Sequence, residues 1–149
     1  MPDWDQVFSF AFVRNPWARA VSIYLMYHLA SMACQIQDMS YLRTGFQRFI
    51  RDPTNPPQKR GKELVVDYRD NQTKFICENG SRIVKFVGRY ENLHHDWQVV
   101  ATYLNLPTEL PHLYGYPIPY NYHDFYDIET AALVRRDHIS DIEMFGYTY

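Results

Sequence analysis

Cysteine is scarce: Cys34 and Cys77 are the only two in 149 residues. Two thiols cannot build a disulfide framework, and their spacing is not that of a metal site. Both are expected to be ordinary buried thiols, and no metal is expected. No apolar run approaches the roughly 20 residues that span a bilayer, so no transmembrane segment is expected. Met1-Pro-Asp-Trp-Asp also lacks the basic start and apolar core of a secretory signal. An excess of either charge is missing too. With 15 Lys and Arg against 17 Asp and Glu, the formal charge is -2, and no global basic field draws in nucleic acid or anionic membrane. Any anion binding must be local. Finally, no Gly-Lys-Ser/Thr or Pro-Lys-Thr triplet occurs, so no lysine-bearing phosphate loop can be assigned.

What is present is a large apolar and aromatic share, 46% and 17%, enough for one globular domain over residues 1–149 with a sizeable core. The most informative stretch is 7–22. Phe8, Phe10 and Phe12 alternate with Val7, Ser9, Ala11 and Val13, the pattern of a strand buried on both faces in a parallel sheet. Asn15 suits a helix N-cap and Pro16 the first helical position. A helix should therefore begin directly beyond the strand's carboxyl end, with free backbone N–H groups facing the crevice there. Arg14 would enter that crevice with a planar, permanently charged fork suited to phosphate or sulfate, and Ser22 would offer a hydroxyl from the second helical turn. Arg19, three residues before Ser22, shares that helix surface. A lone arginine after a strand more often pairs with a carboxylate, and Arg14 and Arg19 could each do so. The complete strand, turn, helix and serine pattern is what points to an anion site.

Trp17, Val21, Tyr24, His28 and Met32, with Leu25 and Leu29, recur at helical spacing and predict a long helix from Pro16 to about Cys34. A shorter helix is predicted over Leu42–Ile50. The basic, breaker-rich stretch from Asp52 to Lys62 reads as a loop, by default a solvated one with no role, although it could touch an acidic acceptor such as a glycan. Gln72 and Phe75 suggest a helical turn, and Arg82–Val87 reads as a second buried strand with Lys85 near an edge. Asn92 is expected to cap a helix carrying Leu93, Trp97, Val100 and Leu104 until Pro107 stops it. His112–Tyr126, crowded with tyrosines, reads as an ordered irregular loop. Asp127 should cap a closing helix with Ala131, Val134, His138, Ile142 and Phe145 inward and Gly146 as its stop. Strands separated by helices imply an α/β domain with a mainly parallel sheet, whose ligands sit beyond the strands' carboxyl ends. Arg14 lies at that place in the chain.

Four stretches in this order carry a resemblance: Arg14-Asn-Pro-Trp-Ala-Arg-Ala-Val-Ser22, Phe86-Val-Gly-Arg-Tyr-Glu-Asn-Leu93, Tyr126-Asp-Ile-Glu-Thr130 and Asp141-Ile-Glu-Met-Phe-Gly-Tyr147. Together they resemble the carbohydrate-type sulfotransferases, sulfotransferase family 2, over most of the chain. The resemblance implies the P-loop-like, three-layer α/β/α sulfotransferase fold. It also implies transfer of sulfate from 3′-phosphoadenosine 5′-phosphosulfate (PAPS) to a hydroxyl acceptor, a carbohydrate above all. In that family the first stretch grips the donor's 3′-phosphate, which here corresponds to Arg14 and Ser22 with Asn15 and Arg19 in support. The 5′-phosphosulfate is held there by a lysine loop after an earlier strand, for which the residues before Arg14 leave no room. The resemblance therefore implies an N-terminally truncated form of the fold, without that loop and without an assignable catalytic base. The missing strand would leave a sheet edge open to self-association. The implied compartment is the cytoplasm for a bacterial chain and the Golgi lumen for part of a longer eukaryotic protein.

Other candidates are weaker. Lys59, Lys62, Lys74 and Lys85 lack the context of a phosphate loop. His94-His95-Asp96 opens a helix and does not have ligand spacing. His123, among Tyr120, Tyr122 and Tyr126, could stack on adenine or sugar. Glu91 has the chemistry of a general base, but at a strand-to-helix junction it is expected to hold Arg89 or cap the helix. Asn71-Gln-Thr and Asn79-Gly-Ser match glycosylation acceptors and matter only in a secretory compartment. Two function classes follow: a sulfotransferase, or a non-catalytic module that binds a phosphorylated ligand or a partner protein. A nucleotide kinase is disfavoured, since kinases of this fold class need the absent loop.

Overall fold

The alternating apolar start of the chain does form a strand, β1 (Phe10–Val13). It pairs in parallel with β4 (Phe86–Arg89), Phe10 opposite Phe86 and Val13 opposite Arg89. The computed structural model describes residues 6–31, 38–52, 68–111 and 120–149. Cys34, Met32, Lys59, Lys62, the basic loop beyond Asp52 and most of the tyrosine-rich stretch lie outside them. The chain divides into two units, Met1–Arg14 with Gln72–Pro119 and Asn15–Asn71 with Tyr120–Tyr149.

In the first unit, the second parallel strand begins at Phe86 and not at Arg82. The cause is the Asn79-Gly80 pair, whose φ values of 50 and 78 make the tight turn favoured between antiparallel strands. It folds Ser81–Arg82 (β3) back onto Cys77–Glu78 (β2), directly after the short helix α3 (Thr73–Ile76). Ile83, expected inside, is 56% exposed. The N–H groups of Lys85 and Phe86 then both donate to the Ser9 carbonyl, at 3.0 and 3.1 Å, and the parallel ladder starts. A second correction concerns β1. Val13 is buried but Phe10 is 38% exposed, so the strand is not buried along its whole length, and β4 is its sole strand partner among the described residues. Gly88 on β4 is buried under the Phe12 ring. A Cβ there would lie 2.4 Å from Phe12 Cε1, so only glycine fits without movement.

After β4 and a 3-10 turn at Tyr90–Asn92, helix α4 (Leu93–Leu104) buries Val100 and Ala101, while Leu93 and Trp97 are half-buried and Leu104 is exposed. It ends where Asn105 turns left-handed, at φ 55, and the Leu106 N–H donates to the Ala101 carbonyl. Pro107, expected as the stop, accepts instead from Trp97 Nε1–H.

The second unit is helical: α1 (Pro16–Ser31), α2 (Met39–Arg51), α5 (Ile128–Asp137) and α6 (Ile139–Phe145). Its core holds Val21, Leu42, Phe46, Phe125 and Val134. Phe46 lies edge-on to Phe125 and Tyr126, a favoured aromatic geometry. Asp38 caps α2 by accepting from Ser40 N–H, so that helix starts earlier than its apolar positions indicate. The expected single closing helix is two. The backbone of His138, at φ -115 and ψ 26, leaves the helical region and separates α5 from α6. The periodicity nonetheless holds inward, for Val134, His138 and Phe145 are all buried. Asp127 and Thr130 cap each other at the start of α5, and left-handed Gly146 ends α6.

Candidate anion site

Arg14 follows β1 and Tyr90 follows β4, so each is the first residue beyond the paired positions Val13 and Arg89. Both therefore stand at the carboxyl ends of parallel strands, the usual place for ligands of such sheets. The Arg14 guanidinium lies over the Tyr90 ring, 4.1 Å from its centroid. The backbone is held just as specifically. Arg14 N–H donates to Gln72 Oε1, and Gln72 Nε2–H donates back to the Arg14 carbonyl, both at 2.9 Å. One side-chain amide thus takes the place of a neighbouring strand's peptide group. Arg14 Nε is buried and has no hydrogen-bond partner among the described residues, an expensive state for a cationic donor unless an anion meets it.

The opening of α1 sits in the second unit. Asn15 is the expected N-cap: its Oδ1 accepts from Trp17 N–H at 3.0 Å and Ala18 N–H at 3.3 Å. The Arg19 N–H donates to the Asn15 carbonyl, and Pro16 has no N–H to give. The free N–H groups expected at this helix start are therefore already occupied, and anion contacts must come from side chains. Asn15 Nδ2–H also donates to the Thr148 carbonyl, tying the end of the chain to the start of α1. Arg19 donates through one guanidinium nitrogen to the Tyr68 and Asp70 carbonyls, at 3.1 and 2.9 Å, which pins that segment beside the helix. Ser22 is half-buried on the second turn.

His123 does join an aromatic group, but with its own neighbours. It stacks on Tyr122 at 4.0 Å and meets Tyr149 edge-on at 4.7 Å. Tyr149 in turn packs against Trp17 and Tyr126, and Tyr126 donates its hydroxyl proton to the Trp17 carbonyl. Burial pushes the Tyr126 phenol well above its ordinary pKa, helped by the neighbouring Tyr149. At the other strand-to-helix junction Asp96 accepts from the Arg89 N–H and from Asn92 Nδ2–H. The Arg89 bond, outweighing partial burial, lowers the Asp96 pKa. Within the His94-His95-Asp96 run, Asp96 is thus a helix-start brace. Among the described residues no group of His, Cys, Asp and Glu is arranged to hold a metal, and no helix is long and apolar enough to cross a membrane. Cys77 is only half-buried, on the β2–β3 hairpin. Of the two glycosylation triplets, Asn71 is half-buried and donates to the Asp137 carbonyl, whereas Asn79 is exposed on its turn.

Gln72 and Tyr90 are the residues that sequence reasoning left without a role. Gln72 lies 58 positions from Arg14, and nothing local marks it as a partner. Tyr90 could have been found by extending the strand register one residue past its end.

Comparison with known proteins agrees with the geometry. A sequence model described as "Sulfotransferase family" matches residues 2–147, which includes the Arg14–Ser22 segment and both strands of the parallel pair. A protein of Archaeoglobus fulgidus, named only as an uncharacterized protein, is 33% identical over 106 residues, covering 71% of this chain and 74% of its own length. No solved structure matches the chain.

Proposed function

This chain belongs to the sulfotransferase family, and from that premise we propose that it binds PAPS and passes its sulfuryl group to a hydroxyl, most naturally one on a carbohydrate. The family match runs across both units, and we take them as parts of one sulfotransferase-like domain. The observation that carries the reading is the buried, unpartnered Nε of Arg14 at the carboxyl end of a parallel strand. A guanidinium there supplies planar, charge-assisted donors to a phosphate, so the chain's own residues fit the donor's 3′-phosphate. Ser22 is assigned a hydroxyl contact to the same group by its place in the motif. Asn15 acts by setting the start of α1, and Arg19 by pinning Tyr68 and Asp70 against that helix.

When bound, PAPS would supply an activated sulfuryl group open to in-line attack by the acceptor oxygen. Catalysis of such transfers rests on positioning and on cations near the developing charge. Arg14 serves the positioning half of that task. No residue is assigned as the base that takes the acceptor's proton. A non-catalytic reading, a donor-binding module without transfer, rests on the absence of a Gly-Lys-Ser/Thr or Pro-Lys-Thr triplet from the sequence.

The test is titration of the full chain with 3′-phosphoadenosine 5′-phosphate. Wild type is expected to bind, and Arg14→Ala to bind about 10- to 100-fold more weakly, the worth of a charge-assisted hydrogen bond. Unchanged binding in Arg14→Ala would overturn the reading. Transfer of labelled sulfate from PAPS to a panel of glycans separates the enzyme from the binding module. Self-association through the β1–β4 edges belongs to the same proposal, and light scattering over a concentration series reads it directly.

A further inference from the structure

We propose that Tyr90 and Gln72 are the positioning residues that hold Arg14 ready for the donor's 3′-phosphate, an inference that rests on the function proposed above. A free arginine side chain samples many rotamers, and ordering it on binding weakens affinity. Two contacts remove that freedom in advance. The Tyr90 ring, centred 4.1 Å from the Arg14 guanidinium carbon, supports one face of the planar group by a cation–π contact. The Gln72 amide takes both the N–H and the C=O of Arg14 at 2.9 Å. It thereby fixes the backbone immediately beyond β1, where a strand end would otherwise fray. The orientation of that amide follows from its partners, since only Oε1 can accept from an N–H and only Nε2 can donate to a carbonyl. Tyr90 itself is 48% exposed, so its ring contributes to this contact far more than to a core.

This arrangement explains how Arg14 Nε stays buried without a partner. The ring faces the guanidinium and the amide holds the backbone, and neither offers Nε an acceptor. The two positioning residues come from different elements, Gln72 at the start of α3 and Tyr90 at the end of β4. The orientation of Arg14 therefore depends on the β1–β4 register being formed.

The experiment compares two ligands on the full chain: 3′-phosphoadenosine 5′-phosphate, and adenosine 5′-phosphate, which lacks the 3′-phosphate. The ratio of their affinities isolates the contribution of the 3′-phosphate. Tyr90→Leu is expected to reduce that ratio about fivefold with no change in the affinity for adenosine 5′-phosphate, while Tyr90→Phe keeps the wild-type ratio. Gln72→Ala is expected to reduce it about threefold or more, with Gln72→Glu intermediate because it keeps the acceptor for the Arg14 N–H. The Arg14 Nε–H resonance of the ligand-free chain gives an independent reading. The ring should shift it, and Tyr90→Leu should abolish that shift without disturbing the rest of the spectrum. A wild-type ratio in Tyr90→Leu would overturn this inference and leave the donor reading intact. A wild type that does not distinguish the two ligands would overturn the donor reading and this inference with it.

Discussion

Asn15 joins two structural tasks, and replacing it separates them. Its Oδ1 accepts two N–H groups of the first turn of α1, and its Nδ2 donates to the Thr148 carbonyl. Asn15→Ala removes all three bonds. Loss of an N-cap costs about 1 kcal/mol, within a range of roughly 0.5 to 2. The Thr148 bond adds about 0.5 kcal/mol, at the low end for a neutral pair, because Thr148 is exposed and its carbonyl can turn to water. The sum of about 1.5 kcal/mol should lower the melting temperature by about 3 to 6 °C for a chain of this size. Asn15→Asp keeps the two accepted bonds and places a negative charge at a helix N-terminus, worth about 0.3 to 1 kcal/mol, against the lost donation to Thr148. Its stability should fall within about 1 kcal/mol of wild type. Urea titrations followed by circular dichroism measure both variants, with an unchanged m-value showing that the same surface unfolds. An Asn15→Ala midpoint equal to wild type, or an Asn15→Asp chain as unstable as Asn15→Ala, would refute the capping argument.

Two further changes test the fold. Gly88→Ala places a Cβ 2.4 Å from Phe12 Cε1, so the ring must tilt, at a cost of about 1 to 3 kcal/mol; shortening the neighbour in Gly88→Ala/Phe12→Leu should recover part of the urea midpoint, and no recovery would place the strain elsewhere. Asp127 loses solvation, which raises its pKa, but the Thr130 N–H and hydroxyl and the Arg51 guanidinium outweigh that loss and hold it at about 2 against a reference of 3.8. A lowered folded pKa means that its stabilisation is complete above about pH 4 and is lost as pH falls toward 2. Wild type should therefore weaken over that window more steeply than Asp127→Asn, and parallel pH profiles of their urea midpoints would contradict the assignment.

The features legible in the sequence were those set by a few adjacent residues. Asn15 and Pro16 mark the start of α1, Asp127 the start of α5, and Gly146 the end of α6, because capping acts within one turn. The helix predicted over Leu42–Ile50 and the inward places of Val134 and Phe145 on the closing pair were legible for the same reason. The errors arose where a second local signal competed. Arg82–Val87 has the composition of a strand, yet the Asn79-Gly80 turn consumes Ser81 and Arg82 in a hairpin first. The periodicity of the closing helices runs unbroken through His138, although the backbone does not. The pairing of Arg14 with Gln72 could not be read at all, since it joins residues far apart in sequence through a side chain that imitates a strand.

The expectation of free N–H groups at the start of α1 failed for an instructive reason. An asparagine that caps a helix is, by that act, the acceptor for the donors an anion would need. Reading Asn15 as a cap and the same N–H groups as an anion cradle therefore assigned one set of donors twice. With Trp17 and Ala18 taken by the Asn15 side chain and Arg19 by its carbonyl, the helix offers an anion little beyond the diffuse attraction of its dipole, worth about 0.3 to 1 kcal/mol at a surface. A charge-assisted bond from a guanidinium is worth roughly 1.5 to 3 kcal/mol. Anion affinity in this segment should consequently follow Arg14 and the residues that orient it, and depend far less on the helix that follows.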